Sequence, residues 1–267
     1  MKLAVSNIAW PYEDETAVLN ILKQGGAQGV EVAPTKIWPD WKGASPESAE
    51  AYRKSLNDQG LEIPALQAIL FGRPELQVFD RSTHNAFFDH LNHVAELAHG
   101  LGAKVLVFGA PKNRQRRSVA FQDAWPVAVD FFRAAGQIGV KNEVAFGLEA
   151  NPVEYQCDFL TNLDEVVRMV GEVDSPGIGV HLDAGAMYMT GDLGHMIRNL
   201  PVPPCHYHAS EPMLAPVGPG VVDHGLGITE LKKRGYADWV SIEMRQAENY
   251  RESIQIALDT LRTFMEE

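Results

Sequence analysis

The sequence predicts an α/β protein built as one closed (β/α)8, or TIM, barrel, and three observations lead there. Short β-branched runs alternate with amphipathic helical stretches eight times along the chain. The 267-residue length suits a barrel of usual size, about 250 residues. The first run leads into Ser6-Asn7-Ile8-Ala9-Trp10 without a glycine, whereas a doubly wound nucleotide-binding sheet normally carries a Gly-rich turn there.

The expected strands are Lys2–Ile8, Gly29–Ala33, Glu62–Ile69, Lys104–Gly109, Val144–Ala150, Ile178–Asp183, Cys205–Ala209 and Trp239–Met244. Each is followed by a helical pattern. Glu13–Gly25 groups Val18, Leu19 and Leu22 on one face. Pro46–Gln59 opens with Ser45 as N-cap and Pro46 at the first helical position. Thr83–His99 carries an i, i+3, i+4 stripe that includes Phe87, Leu91, Val94 and Ala98. Ser118–Ile138, Asn162–Gly171, Leu193–Leu200, Gly227–Arg234 and Glu248–Phe264 complete the set. No linker or low-complexity tract interrupts the alternation, so residues 1–267 are expected to form one domain.

Charge narrows the partners. The chain has 23 Lys plus Arg against 35 Asp plus Glu, a formal charge of −12, which disfavours nucleic acid and anionic membrane surfaces. No apolar run approaches the ~20 residues of a membrane span, and the N-terminus lacks the pattern of a signal peptide. Cys157 and Cys205 form no CxxC and no disulfide framework. A soluble cytoplasmic protein is the expectation.

Parity within the strands locates a candidate site. In Gly177–Asp183, the apolar set Ile178, Val180 and Leu182 faces the helices, leaving His181 and Asp183 inward. The same reasoning turns Glu149 and Asn151 inward on the fifth strand, and Ser241, Glu243 and Arg245 on the eighth. On the seventh it turns Cys205 and Tyr207 outward, His206 and His208 inward. Barrel enzymes build their sites at the carboxyl ends of strands, and these ionisable groups fall there. Three carboxylates converging with an imidazole repel one another unless a cation joins them. Oxygen donors with one nitrogen and no thiolate suit a divalent ion: Mn²⁺ by preference, with Mg²⁺, Co²⁺ or Zn²⁺ as alternatives.

The motifs Gly147-Leu-Glu-Ala-Asn-Pro152, Gly179-Val-His-Leu-Asp-Ala-Gly185, His206-Tyr-His-Ala-Ser-Glu-Pro212 and Tyr236-Ala-Asp-Trp-Val-Ser-Ile-Glu-Met244 carry a resemblance. The chain is similar over essentially its whole length to the xylose isomerase-like sugar-phosphate isomerase/epimerase barrels. Relatives there include hydroxypyruvate isomerase, the ketose 3-epimerases, inosose dehydratase and an AP endonuclease family. The resemblance implies Glu149, Asp183, His208 and Glu243 as metal ligands. It also implies Glu149 and Glu243 as the proton-transfer pair of an isomerase or epimerase acting through a metal-stabilised enediolate. Two positions depart from the ketose 3-epimerase pattern: Ala186 stands where that pattern has a histidine, and Leu214 where it has an arginine. His181, His206 and Arg245 are therefore candidate substrate contacts, with His206 equally a partner that orients a ligand.

The one strongly basic stretch, Gly109–Arg117, follows the fourth strand. Lys112 and Arg114 are its candidate anion contacts; Arg116 and Arg117 read equally as solvated. Trp10, Trp38 and Trp41 are candidates for the barrel mouth, Glu31 for a substrate hydroxyl or a neighbouring cation. Pro216–His224 suggests a lid or substrate wall. The expected partner is a small carbohydrate, without nucleic acid or membrane, in a homodimer or homotetramer. Alternatives are an inosose-dehydratase-like lyase on the same site, a non-catalytic sugar-binding module, and an AP-endonuclease-like hydrolase.

Overall fold

The computed structural model describes residues 1–266. The strands are β1 (Lys2–Ser6), β2 (Gly29–Glu31), β3 (Ala65–Leu66), β4 (Val105–Phe108), β5 (Ala145–Leu148), β6 (Ile178–Asp183), β7 (His206–Ser210) and β8 (Trp239–Glu243). All neighbours pair in parallel, in the order β2-β1-β8-β7-β6-β5-β4-β3. Parallel bridges Gly29–Glu62 and Val32–Leu66 join the two ends, helped by Val30 N–H to Glu62 O at 2.9 Å and Val32 N–H to Ala65 O at 3.0 Å. The alternation has closed into the expected (β/α)8 barrel.

Around it run α1 (Glu15–Gln24), α2 (Pro34–Ile37), α3 (Pro46–Asn57), α4 (His84–Leu101), α5 (Phe121–Lys141), α6 (Leu163–Val173), α7 (Ala184–Thr190), α8 (Leu193–Arg198), α9 (His224–Lys233) and α10 (Tyr250–Glu266). Ser45 caps α3 as expected, its Oγ accepting Ser48 N–H at 3.2 Å while Ser48 Oγ takes Ser45 N–H at 3.0 Å. The short helices α2 and α7 carry too few residues to show a hydrophobic period, and the sequence pattern misses them. No helix among the described residues is long and apolar enough to cross a membrane.

The main core lies between strands and helices, where outward residues such as Leu106, Phe108, Phe146, Leu148, Val180 and Ile242 are buried. A smaller apolar cluster fills the barrel itself: Ala65, Val105 and Val107, with Cys205 packed against it. Cys205 thus corrects the expected parity. It precedes the first paired residue of β7, so strand alternation does not govern it, and burial inside the barrel pushes its thiol up to about 12. Trp10 is also corrected. It is 1% exposed within the outer core, and Lys36 Nζ donates to its carbonyl at 2.7 Å.

Near its C-terminal end, helix α5 meets the starts of β5 and β6 backbone to backbone. A Cβ on Gly177 would lie 2.1 Å from Gly136 O, and one on Gly139 would lie 2.8 Å from Val144 O. Neither contact has a side chain that can yield, so this approach sets the seating of β5 and β6 beneath the site. Gly177→Ala is expected to destabilise the protein by about 2–3 kcal/mol, measured by urea unfolding. A loss below 0.5 kcal/mol, taken as about the size of an ordinary surface change, would show that helix and strand can part freely.

Candidate metal centre and the cavity above it

Register builds the site in two layers. His181 pairs with His206, and two residues on, Asp183 pairs with His208; Ser210 then pairs with Glu243. Asp183, His208 and Glu243 therefore form the upper layer, at the strand ends, with His181 and His206 beneath. Donor atoms of Asp183, His208 and Glu243 all lie within 4.8 Å of one another, close to the separation of ligands on opposite sides of an ion at about 2.0–2.6 Å. His208 Nδ1 is 3.1 Å from Glu243 Oε2 and 3.9 Å from Asp183 Oδ2. Glu149 joins from β5's end, within the same reach of His208.

Asp183, Glu149 and His208 are each held by a neighbour. Asp183 caps α7 through Ala186 N–H at 2.7 Å and accepts from Ser210 Oγ, which in turn accepts Gly185 N–H at 2.9 Å. Asn151 Nδ2 donates to Glu149 Oε1 at 2.6 Å. Glu31, fully buried, spans both imidazoles: His208 Nε2 at 2.8 Å and His206 Nε2 at 2.9 Å. With Nε2–H committed to Glu31, His208 turns Nδ1 to the carboxylates. A carboxylate behind a histidine is the usual way a metal-binding ring is oriented.

Electrostatics agree with a cation site. Burial, then the charges of Asp183 and Glu243, push Glu149 up to about 8. Burial, then Glu243, push Asp183 up to about 6. Burial alone would lower His208, yet Glu31 and Glu243 hold it well above the ordinary imidazole range. Burial alone would raise Glu31, yet His208 and His206 hold it well below the ordinary carboxylate range. Oxygen-rich donors, mutually repelling and backed by a second carboxylate, fit a divalent ion.

A cavity of about 650 Å³ opens above these groups. Glu149 and Glu243 line it, with Gln67, Lys112, Asn151 and Leu214 among the other lining residues. Asp183 and His208 lie behind, 7% and 0% exposed.

Several expected substrate contacts stand elsewhere. His181 and His206 sit one layer too deep to line the cavity; His206 spends Nε2 on Glu31, and His181 Nε2 faces Glu149 Oε2 at 3.8 Å. His206 thus shares Glu31 with His208. Arg245 lies just past β8, exposed and outside the cavity wall. Arg114 is a clear correction. It is 0% exposed, and its guanidinium donates to the carbonyls of Phe108 at 3.3 Å, Glu149 at 2.8 Å and Leu160 at 3.3 Å, with Cys157 Sγ at 3.5 Å. Its positive charge lies behind Glu149 instead of facing a ligand. Lys112 alone of that pair is exposed at the cavity rim. Arg116 is taken up by Asp158 and Val119. Trp41 holds Phe71 O at 3.0 Å, and Trp38 packs edge-on to Tyr52. The segment before His224 is pinned by Glu211, which accepts Val221 and Val222 N–H and pairs with His224.

Sequence reasoning missed Ser210, which shares the inward parity of His206 and His208 but falls one residue past the expected strand end. It also left Glu31 undecided, because the two imidazoles that claim it lie 175 and 177 residues away.

Comparison with known proteins now adds a family. A model of the xylose isomerase-like TIM barrel matches residues 19–263. No curated protein sequence matches the chain. Among solved structures, it is similar to the apo 3-keto-D-glucoside 4-epimerase of E. coli, at 18% identity and a TM-score of 0.82, covering 98% of this chain and 99% of that one. The IolI protein with a bound zinc atom is 20% identical, TM-score 0.75, over 100% of this chain and 98% of that one. A D-psicose 3-epimerase with D-tagatose, from Clostridium cellulolyticum H10, is 16% identical, TM-score 0.80, over 99% of each chain. At these identities the likeness is one of fold.

Two outcomes are expected. Glu149 and Asp183 have folded pKa values raised above the unfolded ones, 4.5 and 3.8. Their contribution is complete below about pH 4 and is lost as pH rises through about 6 and then about 8. Chelator-treated protein should melt lower at pH 8.5 than at pH 5, Glu149→Gln should flatten that fall, and added Mn²⁺ should reverse it. An unchanged melting point across this range would contradict the repulsive centre. Separately, Arg114→Lys should cost about 2–4 kcal/mol, because an ammonium cannot reach the same spread of carbonyls. Chemical denaturation checks this, and a near-neutral result would remove Arg114 from the frame of Glu149.

Proposed function

The chain belongs to the xylose isomerase-like TIM barrel family, and from that premise we propose that it is a divalent-metal-dependent isomerase or epimerase of a sugar, sugar acid or sugar phosphate. The observation that carries the reading is the pair Glu149 and Glu243: of the four candidate ligands, these two open into the cavity, while Asp183 and His208 stay behind its wall. Glu149, Asp183, His208 and Glu243 would hold the ion. When bound, a divalent ion polarises a carbonyl and makes the neighbouring C–H more acidic.

The side chains supply the rest. Asn151 occupies Glu149 Oε1, which leaves Oε2 to accept a proton from carbon. Glu243 has Oε2 turned to His208, so its other oxygen is the one free to exchange a proton with substrate. Return of the proton to the adjacent carbon isomerises; return to the opposite face of the same carbon epimerises. Lys112 at the rim suits a carboxylate or phosphate on the substrate. The neighbours in fold named above include two sugar epimerases and a zinc-bound protein, which supports the substrate class and the ion.

The test combines metal analysis with solvent exchange. Purified protein should contain or take up a divalent metal, and a sugar panel in deuterated water should gain deuterium beside a carbonyl. Glu149→Gln and Glu243→Gln should each slow that exchange about 10²–10⁴-fold. Exchange that persists in both variants would place the base elsewhere, and a protein that binds no divalent metal would end the proposal.

A further inference from the structure

On the side of β3, which stands two strands from β5 and three from β8 around the barrel, the cavity is walled by the segment from Gln67 to Pro74, whose backbone is held almost residue by residue. His90 Nε2 donates to Ile69 O at 2.8 Å, and Trp41 Nε1 to Phe71 O at 3.0 Å. Asn113 Nδ2 donates to Arg73 O at 2.8 Å and to Leu76 O at 2.7 Å, and Gln77 Nε2 donates to Pro74 O at 2.8 Å. A loop tethered at so many carbonyls is a preorganised surface.

One polar side chain in that wall is left out. Gln67 is 2% exposed, and its Oε1 is buried with no hydrogen-bond partner among the described residues. Its backbone N–H closes the barrel by donating to Val32 O at 2.9 Å, so its main chain is committed while its side-chain oxygen is not. Gln67 lies just past the paired residues of β3 and is among the residues that line the cavity. The next residue, Ala68, has φ of 52°, a left-handed conformation that costs a non-glycine residue energy and persists only where surroundings impose it. Strain here turns the chain away immediately after Gln67 and leaves the amide at the cavity wall. A buried amide oxygen without a donor is unfavourable in the free protein, and an apolar residue of like volume would remove that cost.

We infer that Gln67 is a specificity-determining residue whose amide recognises a sugar hydroxyl on the part of the substrate remote from Glu149 and Glu243. This rests on the proposed function and deepens it: the substrate carries a hydroxyl at that distance from its reacting carbons. The amide is satisfied only when such a substrate is bound. A sugar lacking that hydroxyl is then rejected because the amide stays unpaired.

The experiment uses Gln67→Leu and Gln67→Met in the full-length, Mn²⁺-loaded protein. Melting temperatures are measured without sugar. Calorimetric titrations follow with D-fructose, D-psicose and D-tagatose, and with monodeoxy analogues of the tightest binder. At least one variant should melt about 2–4 °C higher than wild type. Both should bind the parent sugar about 10-fold more weakly, and lose the wild type's preference for it over one particular deoxy analogue. Lower melting temperatures in both variants would assign Gln67 a structural role and overturn the inference. So would hydroxyl discrimination that survives both substitutions, even while wild type still exchanges solvent deuterium into sugars. Wild type that neither binds nor exchanges any sugar would overturn the proposed function, and this inference with it.

Discussion

Three carboxylates, Glu149, Asp183 and Glu243, are held around His208 against their own repulsion. Much of the upper barrel is arranged to bear that constraint. Glu149 is displaced upward in pKa by burial and the charges of Asp183 and Glu243, and Asp183 by burial and the charge of Glu243. Such a cluster survives only where its members cannot swing away. Ser210 and the first turn of α7 hold Asp183; Asn151 holds Glu149 from the side; Glu31 holds His208 from below.

Arg114 supplies the countercharge at one remove. Its guanidinium is buried with no carboxylate among the described residues hydrogen-bonded to it, and it binds the carbonyl of Glu149 itself as well as those of Phe108 and Leu160. A cation placed so favours ionised Glu149 while joining the ends of β4 and β5 to the loop that follows. Gly109 completes the fit, since a Cβ there would crowd Glu149 Oε1 at 3.1 Å. Sequence reasoning took Lys112 and Arg114 as anion contacts because they lie nearest the strand end. Burial divided them: Arg114 inward to the frame, Lys112 outward to the cavity.

The lower layer shows why partner residues were harder to read than candidate ligands. His181 and His206 share the parity of Asp183 and His208, so alternation places all four inside the barrel without saying which pair reaches the cavity. Depth is set by register between β6 and β7, and by where each strand stops. Glu31 sits far away in sequence, yet β2 and β7 bring it against both imidazoles. Cys205 failed for a related reason: it lies outside the paired strand, where alternation has no force.

What the sequence by itself determined was periodic or local. Eight alternations implied the closed barrel, the Ser45–Pro46 cap began its helix in place, and strand parity chose Glu149, Asp183, His208 and Glu243 as inward groups. These follow from the two-residue repeat of a strand and the 3.6-residue repeat of a helix, which neighbours along the chain express directly. Tertiary structure alone decided depth, partnership and exposure: Glu31 beneath two histidines, Arg114 behind a carboxylate, Gln67 unpaired in the wall. Those depend on register and on closure between β2 and β3, which bring together side chains whose separation along the chain carries no period. The charge of −12 was plain from composition, but only folding gathered three of those negative charges onto one axis.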